Sequence, residues 1–365
     1  LEGPRPILPE EYPGLLLLVN SVFHHGHIHQ ALPLLFNPEN YHRLWVVFED
    51  GKPVSHLGMI CKDVRLGSVA TRVAAYGCVC TYPEYRGRGH ASRLLQAAFA
   101  ASEAEGADLV MISGGRGLYR RAGCTNLGGI QVGRLRLEGV ADASLTFHRF
   151  AGDITPFARL AEGEPVRWVR SEADWQILLT QDPLGSYHWE RVWASREGQP
   201  VAYAILKVWD EHHHHAGHEH HDHPRAALAE WAGERQAVLA ATRYACPDRT
   251  VGCTVPWHDR EMRHLAFAGQ EVKAETNGTG KVLNLPRLLS RIPGLPADLA
   301  CSGDRERWVL TLADESLVLE GEAPGWLVWG HPEGKTDFLP APGPLREALE
   351  GVFPLPRLCY GLNYV

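Results

Sequence analysis

Ala91, Leu94, Leu95, Ala98 and Phe99 recur at the three-and-four spacing of a helix with one apolar face. Immediately upstream, Val69 to Cys80 is apolar and rich in small and β-branched residues, as a buried strand requires, and Asp108 to Ile112 is a second, shorter apolar run. Between them lies an Arg/Gly loop, so the order is strand, loop, amphipathic helix, strand. Leu15 to Phe23 predicts an earlier apolar helix, and a short helix carrying Leu118 and Tyr119 ends at Gly123. The pattern then repeats. Glu49-Asp-Gly-Lys-Pro-Val-Ser and Arg196-Glu-Gly-Gln-Pro-Val-Ala each place a Gly/Pro turn before a strand that ends near an Asp, at Asp63 and Asp210. The same fold is expected twice. In the second copy Ala226 to Trp231 passes through Ala-Gly directly into a helix, without the Arg/Gly loop. After Asn277 the pattern changes: Leu285 to Leu289 predicts a short helix, and Trp308 to Leu312, Ser316 to Leu319 and Trp326 to Trp329 predict strands. The expected fold is α/β, with domains at 1–145, 146–277 and 278–365, the last a small α+β unit.

The loop carries the first chemistry. Gly87 and Gly89 let the backbone turn its N–H groups inward, and a helix N-terminus adds unpaired donors and a positive dipole end. With Arg86 and Arg88 alongside, this is a cradle for a pyrophosphate and reads as an acyl-coenzyme A site. No Gly-Lys-Ser/Thr follows, which excludes a P-loop, and G-x-G-x-x-G is not completed, which excludes a dinucleotide fingerprint.

Composition bounds the rest. The 365 residues are 45% hydrophobic, enough for two or three cores, and no apolar run approaches a membrane span. No leader peptide is visible, and none of the eight cysteines forms a C-x-x-C pair, which suits a reducing, cytoplasmic compartment. Cys78 and Cys80 read as small buried hydrophobes. The formal charge of -7 argues against broad nucleic-acid binding and favours a cationic acceptor such as an amine; coenzyme A would then need the local Arg86, Arg88 and Arg93. A homo-oligomer is compatible with this composition.

Two histidine clusters stand apart: His24, His25, His27 and His29, then His212, His213, His214, His215, His218, His220, His221 and His223. The second falls between two strands of the second copy and reads as a hydrated insertion that, with Glu219 and Asp222, takes up Zn or Ni adventitiously. The first reads as loop histidines.

The segment Arg86-Gly-Arg-Gly-His-Ala, set between strand and helix, resembles the R-x-x-G-x-A motif of the GNAT acetyltransferases. Leu118-Tyr119 followed by Gly123 resembles their L-Y-x-x-x-G segment. The order of a full GNAT domain, a second without the loop, and a C-terminal domain introduced by Leu285-Pro-Arg is similar to the Eis-type acetyltransferases, in which the third domain resembles a sterol carrier protein fold. The resemblance implies transfer of an acetyl group from acetyl-CoA to an amine of a small or peptide acceptor. It implies that Val79, Cys80 and Thr81 run beside the pantetheine, that Arg86, Gly87, Arg88, Gly89, His90 and Ala91 hold the pyrophosphate, and that Tyr119 is the general acid. It also implies that the chain end returns to the first domain's cleft, with the α-carboxylate of Val365 near the amine and Leu362 and Tyr364 packing to hold it. A core tyrosine with a bonded hydroxyl is the competing reading of Tyr119. His25, His27, His29, Glu84 and His90 are the other base candidates, with His90 and Glu84 expected to face solvent. The competing functions are a metal-buffering or metal-sensing protein and a non-catalytic CoA-binding scaffold.

Overall fold

The computed structural model describes residues 1–24, 26–182, 187–209, 224–247, 250–270 and 272–364. The chain forms two compact units. Unit 1 comprises Leu1–Gly129, Thr276–Arg357 and Tyr364–Val365; unit 2 comprises Ile130–Glu275 and Leu358–Asn363. No helix among the described residues is long and apolar enough to cross a membrane.

The N-terminal part of unit 1 contains β1 (Glu2–Pro6), α1 (Tyr12–Phe23), α2 (Ile28–Ala31), β2 (Leu44–Glu49), β3 (Lys52–Leu66), β4 (Val69–Thr81), α3 (His90–Ala104), β5 (Leu109–Ile112), α4 (Gly117–Arg121) and β6 (Thr125–Asn126). Strands β1 to β4 pair antiparallel in chain order, and β4 pairs parallel with β5 across α3. The apolar face predicted for α3 is the face it buries: Leu94, Leu95, Ala98 and Phe99 are fully buried and cluster with Ala74, Tyr76 and Val110 of the sheet.

Unit 2 contains β7 (Ile130–Arg134), β8 (Leu145–Arg149), α5 (Thr155–Glu162), β9 (Val166–Trp168), α6 (Glu172–Thr180), β10 (Tyr187–Arg196), β11 (Gln199–Trp209), β12 (Ala226–Gly233), α7 (Arg235–Ala245), β13 (Val251–Pro256), α8 (Arg260–Phe267) and β14 (Lys273–Glu275). Its sheet runs β14-β7-β13-β12-β11-β10-β8, with β12 and β13 parallel across α7. The repeat seen in the sequence is a repeat of geometry. Asp50 and Gly51 (φ 49° and 74°) turn β2 into β3, and Glu197 and Gly198 (φ 52° and 76°) turn β10 into β11, both positive-φ hairpin turns. In each hairpin the register slips two residues beyond the turn, opposite Pro53 and Pro200, where a bulge accommodates the missing N–H.

The chain then returns to unit 1 as β15 (Thr279–Val282), α9 (Leu285–Leu289), β16 (Ala300–Asp304), β17 (Arg307–Leu312), β18 (Glu315–Glu320), α10 (Ala323–Trp329) and α11 (Pro344–Glu350). Strand β15 lies between β5 and β6, completing the first sheet. Buried Asp108 ties this segment down: it accepts from Thr71, sits 2.5 Å from Arg287 and 3.1 Å from Arg291, and leaves no charge unpaired. Residues 276–357 group in unit 1 with the N-terminal copy, and unit 2 begins at Ile130. Strands β16 to β18 form a three-stranded antiparallel meander. Trp326 to Trp329 is helical instead of extended. A short apolar run does not declare its period, and Pro324 at the first turn is the helix signal that decides it.

Candidate active site

Strands β4 and β5 pair only from Val73/Leu109 to Tyr76/Ile112. Beyond Tyr76, β4 continues to Thr81 against β3 alone, so its other edge is left without a strand partner. The register slips where β4 spends one more residue than β3 between Gly58/Gly77 and His56/Cys80, and Cys78 there takes φ 52°. A non-glycine residue in that region is a strained bulge, and it re-aims the strand as it approaches the loop. Val79, Cys80 and Thr81 lie on this freed segment. The thiols of Cys78 and Cys80 are buried, which pushes the first well above the usual range and the second up to about 12. Both stay protonated at neutral pH and are not poised as nucleophiles.

After Thr81 a 3-10 turn (Pro83–Tyr85) leads to Gly87 and Gly89, at φ 77° and 78°, and Gly89 caps α3. The last backbone bond before the helix is Arg86 N to Pro83 O, and the next N–H to find a carbonyl is that of Arg93, bonded to Gly89 O at 3.1 Å. The N–H groups of Gly87 to Ser92 have no such partner among the described residues. A Cβ added at Gly87 or Gly89 would meet nothing within 4 Å, so this row of donors opens onto free space. The geometry is that of an anion cradle.

The charges around it divide unevenly. Arg88 is held by Glu49 (2.9 Å) and the carbonyl of Glu84, and Arg93 by the carbonyl of Gly3. Among the described residues Arg86 makes one bond, from Nε to Thr81 O, and Arg93 likewise makes only its bond to Gly3 O, so both keep guanidinium N–H groups for a ligand. His90 is not solvent-facing as expected. Its ring is 4% exposed, with Nε2 3.0 Å from Glu49. The helix direction explains this, since the first residue of α3 points back along the edge of β2; only its backbone N–H faces the cradle. Glu84 is exposed, as expected, near Lys52. Glu49, which bonds Arg88 and lies beside the His90 ring, is not legible in the sequence because its role depends on contacts across about 40 residues.

Tyr119 sits on α4 and is 4% exposed. Its ring lies where a Cβ on Gly114 would be 3.0 Å from Cε2, so Gly114 makes room for it. Tyr76 shows what a core tyrosine does: its hydroxyl bonds Ser102 Oγ at 2.8 Å. The Tyr119 hydroxyl makes no hydrogen bond within the described residues, nor is it one of the sealed, unpaired polar atoms of the core. Burial pushes it up to about 12, opposed by Arg116 and assisted by Cys124 and Cys80, whose side chains lie close enough to be felt. The phenol is protonated and available to donate.

The second copy has closed the equivalent place. Gly233 is packed with its missing Cβ 2.1 Å from Val201 O, and Glu164 occupies the helix N-terminus, accepting from Gly233 N at 2.8 Å and from Arg235 at 2.7 and 2.8 Å. A protein carboxylate stands where the first copy leaves its donors open.

Other expected site residues lie elsewhere. His24 ends α1, His27 caps α2 and His29 lies on it. His25, His212 to His223 and Val365 lie outside the described residues. Among those described, no group of three or more His, Cys, Asp or Glu is set to hold a metal. Leu362 is buried, but within unit 2 and not in the first domain, and Tyr364 is 52% exposed.

Residues 4–126 match the family described as acetyltransferase (GNAT) domain. No curated protein matches the chain. Among solved structures, a GCN5-related N-acetyltransferase from Anabaena variabilis is similar at TM-score 0.65 and 16% identity, over 87% of this chain and 84% of that one. A conserved protein of unknown function from Enterococcus faecalis, described as a probable N-acyltransferase, gives 0.63 and 15%, over 87% and 85%. Eis1 from Mycobacterium abscessus gives 0.62 and 13%, over 89% of both chains. Residues 4–126 thus match the acetyltransferase (GNAT) domain model, within a chain whose fold is similar to that of Eis1.

Proposed function

We propose that the first copy is an N-acetyltransferase that moves an acetyl group from acetyl-CoA to an amine of a small or peptide acceptor by direct attack. The observation that carries this reading is the row of N–H groups from Gly87 to Ser92 that, among the described residues, has no backbone partner, beside a strand edge with no strand partner and a tyrosine hydroxyl with no hydrogen-bond partner among those residues. Acetyl-CoA supplies an activated thioester. The N–H groups of the cradle and Arg86 hold the pyrophosphate, and the backbone of Val79, Cys80 and Thr81 lines the pantetheine, where an N–H polarises the carbonyl as charge gathers on its oxygen.

The attacking amine must be neutral, and a lysine-like ammonium has a pKa of about 10, so a base is needed. The α-carboxylate of Val365, at an unperturbed pKa of about 3.5, is ionised at neutral pH and takes this role directly or through water. Tyr119 donates to the departing sulfur. Its pKa lies above that of a thiol, so its contribution is mainly a hydrogen bond that strengthens as negative charge develops. In this reading the sterol-carrier-like C-terminal segment is structural, and Zn or Ni on His212 to His223 is incidental to transfer.

The test is release of free thiol from acetyl-CoA across a panel of aminoglycoside, polyamine, peptide-lysine and small-metabolite amines, with and without chelator. Amine-dependent release that survives the chelator supports the reading. Release from no amine would leave a CoA-binding scaffold, and release lost with the metal would favour the metal-dependent alternative.

A further inference from the structure

Strand β15 joins the first sheet from beyond the second copy in sequence, and its place between β5 and β6 brings two buried polar side chains to α4. Thr279 lies opposite Ile112 of β5 and Asn126 of β6, and Lys281 lies opposite Val110. Two residues apart on a strand, they share one face; Gly280 between them belongs to the other, where a Cβ would stand 2.8 Å from the Trp329 ring. Thr279 is fully buried and Lys281 is 4% exposed.

Their hydrogen bonds go to the two ends of the segment that carries Tyr119. Thr279 Oγ1 donates to Gly114 O at 3.0 Å, ahead of α4, at the glycine whose missing side chain makes room for the tyrosine ring. Lys281 Nζ donates to Ala122 O at 2.8 Å, at the C-terminal cap of α4. The last turn of a helix leaves carbonyls unpaired at its negative dipole end, and an ammonium is favourable there. The turn that follows is shaped to admit it: a Cβ at Gly123, at φ 76°, would lie 2.7 Å from Nζ. The Tyr119 carbonyl closes the same turn, accepting from the N–H groups of Ala122 and Cys124 at 3.0 Å each. Among the described residues the carboxylate paired with Nζ is Glu306, 3.6 Å away and 68% exposed. Burying an ammonium is costly. An apolar side chain of similar length would fill the space without that cost, so what Lys281 adds is its hold on Ala122 O.

We propose that Lys281 and Thr279 are positioning residues for acyl transfer: from one face of β15 they clamp the α4 segment at both ends and fix the Tyr119 hydroxyl for donation to the departing sulfur. This rests on the reading of Tyr119 as the acid. A strand that follows the whole second copy in sequence thereby sets the geometry of the first copy's reaction, and Gly123 leaves the room that the clamp needs.

The variant Lys281→Met tests this on the full chain, because it nearly keeps the length of the side chain and removes the donor. The kcat with the best amine should fall by about 10-fold with the KM for acetyl-CoA unchanged, since the cradle from Gly87 to Ser92 is untouched. Amide hydrogen exchange at 119–124 is expected to rise at least about tenfold. In a Tyr119→Phe chain, where no acid is left to position, the same substitution should lower kcat no further. Thr279→Val removes one hydroxyl and keeps the shape; it should give about a threefold loss with the same dependence on Tyr119, and it carries the comparison should Lys281→Met fail to fold. Unchanged exchange would overturn the clamp. Equal factors of loss with and without the Tyr119 hydroxyl would overturn the positioning role, because a merely structural bond acts alike in both chains. A slow Tyr119→Phe beside a fast Lys281→Met removes the positioning role alone, whereas an unaltered kcat in Tyr119→Phe removes the acid on which it rests.

Discussion

Tyr119 and Tyr76 are both buried in one cluster, and their hydroxyls distinguish them: that of Tyr76 is bonded to Ser102, whereas that of Tyr119 has no hydrogen-bond partner among the described residues. Replacing Tyr119 by Phe removes one oxygen and keeps the packing. The variant should retain coenzyme A affinity and lose kcat by about 10², the low end for general acid catalysis, because the phenol is a weaker acid than the thiol it serves. Equal turnover in the variant would make it a second core tyrosine. The raised value also sets the alkaline limit, since a phenol at about 12 remains a donor through the pH range in which a lysine-like amine becomes neutral. At this scale the sequence was informative where chemistry is local, as at Gly87, Gly89 and Tyr119. It was silent on Glu49 and Lys281, whose roles come from partners far along the chain.

Elements with one clear apolar face were legible. Helix α3, strand β4 and the paired hairpins all lie where their periodicity and turn residues put them, because local pattern and tertiary burial agree. Strand β15 was not, since its partners lie far upstream, at Leu109–Ile112 and Thr125–Asn126, and nothing in Thr279-Gly-Lys-Val names them. The bulge at Cys78 was equally hidden, being a mismatch between two strands and not a property of either. Within the β2–β3 hairpin, His56 makes a prediction about stability. Its Nδ1 lies 2.9 Å from Trp45 O, so it donates there as a neutral ring, and complete burial lowers its pKa to about 4. The unfolded chain, near 6.5, takes up a proton first, so the stabilisation is complete above about pH 6.5 and is lost as pH falls toward 4. His258 in unit 2, also lowered to about 4 by burial, acts in the same direction. The urea midpoint should drop between pH 7 and 5, with each histidine contributing about 1.4 kcal/mol per pH unit within that window. His56→Gln should have a visibly smaller drop; an identical one would place the pH dependence elsewhere.

Across the whole molecule, two copies of one strand–helix–strand design have been put to different uses. The first leaves its helix N-terminus open and its strand edge free; the second fills the helix end with Glu164 and the strand gap with the chain's own C-terminal segment. The loss of the loop in the second copy was legible from Ala232-Gly233-Glu234, whereas its replacement by internal groups was not, because the fillers come from Glu164, just after α5, and from residues 358–363. The strand that completes the first sheet follows the whole second copy, so compact units and sequence segments do not coincide.

The central claim is that one copy, and only the first, holds the acyl-CoA through the backbone of its loop. Calorimetric titration of coenzyme A into the chain and into Gly89→Val tests it most directly. At φ 78° a β-branched residue is strained and its side chain projects into the space kept open before the donors. One site per chain is expected in the original and no measurable binding in the variant, while the strain at residue 89, about 1–3 kcal/mol, lowers the thermal midpoint of the free protein by several degrees without preventing folding. Two sites per chain, or one site undiminished in Gly89→Val, would contradict it.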